Sequence, residues 1–196
     1  ARFDGVTLTA DGLRVTEAEI RGAYDQVDPA LIEVIRTAKD RILAYHSKQK
    51  KYGWFDTEPD GSIMGQHVTP IEIVGLYVPG GKAFYPSSVL MNALPAVVAG
   101  VERIVMVTPP LKDGSVNPLA LVAANECGVT EIYRVGGAQA VAALAYGTET
   151  IPKVYKIVGP GNIYVTLAKK AVFGYVSIDS IAGPSEVLVI ADASAN

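Results

Sequence analysis

The chain has 196 residues, of which 49% are hydrophobic and 19% charged, and a formal net charge of −3. That length allows one ample domain or two small ones, with a core that needs no disulfide or metal staple, and the composition excludes a disordered chain. A nucleic-acid binder is excluded as well, because the only basic run, Lys48, Lys50 and Lys51, reads as a solvated helix end.

The N-terminal residues Ala1-Arg2-Phe3-Asp4 resemble neither a signal peptide nor an initiator start, so the sequence reads as a piece of a longer chain. Thr16, with Glu19 three positions on, has the pattern of a capping box that opens a helix. Asp28-Pro29 opens a second helix, and Leu31, Ile32, Ile35, Ala38, Ile42 and Leu43 give it an apolar face. Tyr52 to Asp56 and Ser62 to Val68 flank the turn Glu58-Pro59-Asp60-Gly61, which predicts a β-hairpin.

From residue 71 strands and helices alternate. Strands are expected over Ile71 to Val78, Arg103 to Thr108, Thr130 to Val135 and Val154 to Val158. The helices between and after them run over Ser88 to Ala99, Asn117 to Glu126, Ala138 to Tyr146 and Asn162 to Phe173. Two final strands, Tyr175 to Ile178 and Glu186 to Ala191, bracket Ala182-Gly183-Pro184-Ser185, and the sequence stops just past the second without a closing element. Cys127, the only cysteine, ends an apolar helical stretch. It reads as a buried, unreactive thiol, and the absence of an internal disulfide favours a reducing, cytoplasmic compartment. No apolar run reaches the roughly 18 residues that a membrane helix needs. The fold class expected is α/β, with Rossmann-like parallel sheets covered by helices on both faces, preceded by a helical N-terminal segment and a β-hairpin.

Right-handed crossovers place the strand-to-helix turns along one sheet edge, where open α/β folds bind ligands. Pro79-Gly80-Gly81, Gly136-Gly137 and Gly159-Pro160-Gly161 share one design: a strand end, glycines, then a helix start. Glycine lets a ligand approach the main chain, and a helix start offers free N–H groups to an anion. Steric need alone also favours glycine at such turns. Tyr77, Gln139 and Asn162 accompany them, a ring and two amides able to meet a planar or hydrogen-bonding ligand. Neither G-x-G-x-x-G nor a P-loop is present. On the residues alone the chain binds a phosphorylated or acidic small molecule. A phosphate- or nucleotide-binding α/β transferase and a non-catalytic α/β binding module both remain open.

The wording of these segments is more specific than their spacing. Val74-Gly75-Leu76-Tyr77-Val78-Pro79-Gly80-Gly81, Val135-Gly136-Gly137-Ala138-Gln139-Ala140, Ala145-Tyr146-Gly147-Thr148-Glu149-Thr150, Gly159-Pro160-Gly161-Asn162 and Ala182-Gly183-Pro184-Ser185-Glu186-Val187-Leu188 resemble the histidinol dehydrogenase family, in its order. The resemblance covers the whole chain and is strongest from about residue 68 to 192.

That resemblance implies a zinc-containing, NAD-dependent enzyme of histidine biosynthesis. It would oxidise L-histidinol to L-histidine through an aldehyde, as a homodimer of intertwined Rossmann-like domains. By it, residues 1–76 begin the first domain, 77–185 make the second, and 186–196 return to the first as a strand. Tyr77, Gln139 and Asn162 match NAD-contacting positions, and Ser185 a substrate-contacting one. Each also has a plainer reading: Tyr77 as a filler of the sheet edge, Gln139 and Asn162 as helix caps, Ser185 as part of a turn. The family's zinc ligands and its catalytic Glu-His pair match nothing in this sequence, so no catalytic or metal residue is assigned and the chain alone is expected to be inactive. His46 and His67 have no metal-ligand spacing and read as ordinary helix and hairpin residues.

Overall fold

Short polar side chains start the N-terminal helices by accepting backbone amides that would otherwise lack partners. In the computed structural model, which describes residues 5–80, 85–183, 186–192 and 194, Thr9 opens α1 (Ala10–Leu13) by accepting the Gly12 N–H at 3.3 Å. Thr16 and Glu19 form the expected capping box at the start of α2 (Glu17–Tyr24). The Thr16 hydroxyl accepts the Glu19 amide at 3.3 Å and Glu19 accepts the Thr16 amide at 2.9 Å. Asp28 caps α3 (Pro29–Ser47), with Pro29 in its first turn. The hairpin pairs β1 (Trp54–Thr57) with β2 (Ile63–Gln66), Trp54 opposite Gln66, and every residue of both strands is exposed.

The alternating part follows: β3 (Ile73–Tyr77), α4 (Pro86–Ala99), β4 (Arg103–Thr108), α5 (Pro118–Glu126), β5 (Glu131–Arg134), α6 (Gly137–Tyr146), β6 (Lys156–Val158), α7 (Ile163–Val172) and β7 (Ser177–Ile178). The five strands from β3 onward make one sheet in the order β5-β4-β3-β6-β7, and every neighbouring pair is parallel. The chain winds outward from β3 to β5, then returns to the other side of β3 for β6 and β7. This is the doubly wound α/β arrangement, and its strand order reverses between β3 and β6.

Both faces of the sheet are buried, and alternation along each strand divides the residues between them. Val74, Leu76, Met106 and Ile132 pack with α4 and α5 on one face. Ile73, Tyr77, Val105, Val107, Tyr133 and Ile157 pack with α6 and α7 on the other. Residues of α2 and α3, among them Ile20, Ala23, Ile32 and Ile35, extend the first cluster. The N-terminal segment also covers an edge strand, since Val15 donates its N–H to the Ile132 carbonyl at 2.9 Å and Arg14 bridges Tyr133 antiparallel.

Two expectations change. The strand expected over Glu186 to Ala191 does not form: residues 186–192 have no regular secondary structure, and Val187, Leu188, Val189 and Ile190 are exposed. An apolar β-branched run records a preference for a strand, but a strand exists only when a neighbouring backbone pairs with it. His67 lies just past β2 rather than within it. Cys127 is buried as expected, and burial pushes its thiol up to about 12. No helix among the described residues is long and apolar enough to cross a membrane.

Glu126, at the end of α5, ties the N-terminal helices to the sheet-covering layer. It accepts hydrogen bonds from Arg36 at 3.0 Å, Lys39 at 3.3 Å and the Tyr24 hydroxyl at 3.1 Å. Burial raises its pKa, but these donors outweigh burial and hold the carboxyl below the ordinary glutamate value. A depressed folded-state pKa stabilises the fold above the unfolded value and is lost as pH falls through the folded one. Glu126→Ala should cost about 1–3 kcal/mol in urea unfolding at neutral pH. The gap between variant and parent should narrow as pH falls below the ordinary glutamate range.

Candidate functional site

The carboxyl ends of β5, β4, β3 and β6 lie side by side, so the turns that follow them form one continuous edge. That edge is tightly packed by the chain itself. A Cβ on Gly136 would lie 2.3 Å from Pro109 Cγ, and one on Gly80 would lie 2.9 Å from the Pro109 carbonyl oxygen. The loop after β4 is thus wedged between the turns after β5 and β3. Gly159 is the most constrained: its φ is +120°, and a Cβ there would come within 2.0 Å of the Tyr77 carbonyl oxygen. The plainer, steric explanation of these glycines therefore holds at Gly80, Gly136 and Gly159.

Tyr77 ends β3 with its ring buried at 3% exposure in the cluster under α6 and α7. Its hydroxyl accepts the Gly137 N–H at 3.0 Å, which supplies a side-chain acceptor to a helix whose own N-cap residue, Gly136, has none. Gln139 is exposed in the first turn of α6, and its side-chain amide lies over Gly137. Asn162 is exposed at the start of α7 and caps it, Oδ1 accepting the Tyr164 amide at 3.0 Å and the Val165 amide at 3.1 Å. All three residues therefore occupy the carboxyl edge, with Tyr77 joined directly to the start of α6. Ser185 lies outside the described residues.

Sequence reasoning missed two buried cations on this edge, each paired with a partly exposed carboxylate. Lys169 of α7 and Asp179, just past β7, pair with each other, and both bind the Gly159 backbone. Arg134, ending β5, donates to the Gly12 carbonyl at 2.8 Å and pairs with Glu19, joining the sheet to α1 and α2. A lysine on the apolar face of α7 was the available signal for the first. Nothing local marks the second, whose partners are 115 residues apart.

Among the described residues no group of three His, Cys, Asp or Glu comes together to hold a metal ion. His46 hydrogen-bonds Gln49 at 2.6 Å and His67 is exposed past the hairpin. The described residues do not fit a zinc site. A cleft of about 380 Å³ lined by Ile73, Arg103 and Val154 opens where strands begin, at the edge opposite the glycine turns.

Comparison with known proteins places this geometry in a family. A family model described as histidinol dehydrogenase matches residues 1–196. The chain is 61% identical over 194 residues to the histidinol dehydrogenase of Synechococcus sp., covering 99% of this chain and 45% of that protein. It is 60% identical over 196 residues to that of Listeria monocytogenes, covering 100% of this chain and 45% of the relative. The crystal structure of histidinol dehydrogenase from Elizabethkingia anophelis superimposes with a TM-score of 0.90 at 44% identity, over 100% of this chain and 45% of that one. The chain thus spans somewhat less than half the length of the relatives it matches. It belongs to the histidinol dehydrogenase family.

Gly159→Ala should be among the most damaging single substitutions, costing about 4 kcal/mol or more in urea unfolding, because positive φ and a backbone collision act together. Gly174→Ala is the control. Its φ is +94° with nothing within 4 Å of the added Cβ, so it should cost only about 1–2 kcal/mol of conformational strain.

Proposed function

We propose, on the premise of that membership, that the chain forms the dinucleotide-binding part of an NAD-dependent, zinc-containing histidinol dehydrogenase. The whole enzyme would oxidise L-histidinol to L-histidine as a cytoplasmic homodimer. The observation that carries this reading is the family match over residues 1–196. The geometry supports it in kind: a doubly wound sheet, with Gln139 and Asn162 exposed at helix starts on the carboxyl edge near the reversal of strand order.

In this reading Gln139 and Asn162 hydrogen-bond the cofactor, and Tyr77 acts from beneath, its hydroxyl holding the first amide of α6. Ser185 is the proposed substrate contact. The division of the chain into residues 1–76, 77–185 and 186–196 stands as part of the same proposal. When bound, NAD supplies the two-electron acceptor that alcohol oxidation requires. This chain's residues would bind and orient it. The groups that would hold zinc and move the substrate's proton are assigned to the remainder of the enzyme, and no step is derived through the metal.

Calorimetric titration of the chain with NAD, beside a nucleotide sugar as a competing ligand class, tests the reading. NAD should bind and the nucleotide sugar should not; the reverse preference would favour a transferase. Asn162→Ala and Gln139→Ala should each raise the NAD Kd about tenfold, the loss expected for one hydrogen-bonding side chain. The chain alone should produce no NADH from histidinol in an absorbance assay, and measurable turnover would place catalytic groups within these residues.

A further inference from the structure

Lys169 contradicts the pattern of its own helix. It follows Val165 by four residues and precedes Val172 by three, and both valines are buried, so helical spacing calls for an apolar side chain. The lysine there is nevertheless 4% exposed. Its ammonium donates to the Gly159 carbonyl at 2.9 Å and pairs with Asp179 Oδ1. Asp179 Oδ2 accepts the Gly159 N–H at 2.9 Å, and Oδ1 also accepts the Ser180 amide at 2.7 Å. One ion pair therefore grips both polar groups of a single glycine.

Stability alone is a poor reason for such an arrangement. Removing the lysine from water costs several kcal/mol, Asp179 remains partly exposed beside it, and a well-packed apolar residue of similar volume often stabilises a fold as well or better. What the pair adds is direction: Asp179 holds the Val158–Gly159 peptide by its N–H and Lys169 holds the Gly159–Pro160 peptide by its carbonyl, so rotation about both soft bonds of Gly159 is restrained. Gly159 also lies against the backbone of Tyr77, with no space for a Cβ between them. Three residues on, Asn162 starts α7.

We propose that Lys169 and Asp179 are positioning residues that lock the Gly159 backbone against Tyr77 and so hold Tyr77 and Asn162 in the relation that dinucleotide binding requires. The binding half of this statement rests on the NAD reading above; the locking half does not. Lys169 and Asp179 act through the main chain and need not touch the cofactor.

Lys169→Met, which keeps side-chain length and removes the charge, and Asp179→Asn are compared with the parent chain by amide NMR, NAD calorimetry and urea unfolding. The expected result is a displaced Gly159 amide signal, shifted or broadened Tyr77 and Asn162 signals, and unaltered signals from α5. Each single variant should lower the urea midpoint, because one charge loses its partner. NAD Kd, measured well below the unfolding transition, should still rise about tenfold or more, and Lys169→Arg, which retains the donor, should recover part of the affinity. Unmoved Tyr77 and Asn162 signals in Lys169→Met overturn the proposal whatever the affinity. An unchanged Kd alongside moved signals overturns its binding half. If the parent chain takes up no NAD, the cofactor reading fails by itself and the amide signals still decide the locking claim. Should Lys169→Met fail to fold, Asp179→Asn and Lys169→Arg carry the same comparison.

Discussion

The passage of Gly159 beneath the end of β3 sets the geometry of everything around it. β6 pairs with β3 through Val74 opposite Lys156 and Leu76 opposite Val158. The chain must then leave the sheet across the Tyr77 carbonyl, at a distance that admits no side chain. Only glycine satisfies both the positive φ and the contact. Once that crossing is fixed, α7 must start at Asn162, Val165 and Val172 face the sheet, and β7 takes its place beside β6. Gly136 and Gly80 repeat the principle on either side of Pro109. The carboxyl edge is a close-packed row of turns, and any ligand must meet it from outside.

Much of this was legible in the sequence because the forces involved are local or periodic. Thr16 with Glu19, Asp28 with Pro29, and Asn162 ahead of Tyr164 mark helix starts through bonds that reach only two or three residues. The uninterrupted apolar runs of β3 and β4 announce strands buried on both faces. The alternation of such strands with helices yields a parallel sheet and a ligand edge without any distance being known. Even so, the position of Tyr77 at a strand end did not reveal which face its ring would enter. That depended on α6 lying close over Gly75, where a Cβ would come within 2.9 Å of Leu144.

What the sequence hid is non-local. Lys169 and Asp179 sit on different elements and meet only because β7 is parallel to β6. Glu19 gives itself away as a capping residue, and its second role, pairing with Arg134, follows from α2 lying beside the end of β5. The run from Glu186 misled for the opposite reason, since its local preference is strong and the partner that would realise it is absent from the described sheet.

These contacts bear on what kind of ligand chemistry the turn after β6 offers. A phosphate cradle needs backbone amides pointing outward at a helix start. Here the Gly159 amide is given to Asp179, Pro160 has none, and the Tyr164 and Val165 amides are given to Asn162, so the turn's remaining donors are the Gly161, Asn162 and Ile163 amides. Asp179, held ionised by Lys169 and by two backbone amides against the opposing effect of burial, also places a carboxylate behind the turn. Both features reduce what this turn offers a pyrophosphate. With its Oδ1 committed to α7, Asn162 offers its Nδ2 amino group, a neutral donor suited to a carbonyl or hydroxyl acceptor. In the NAD reading, the Asn162 side chain would meet an uncharged part of the dinucleotide. The commitment of Gly159 to Tyr77 and Asp179 distinguishes this turn from the phosphate-gripping glycine loops it outwardly resembles, where the glycine backbone is left open to the ligand.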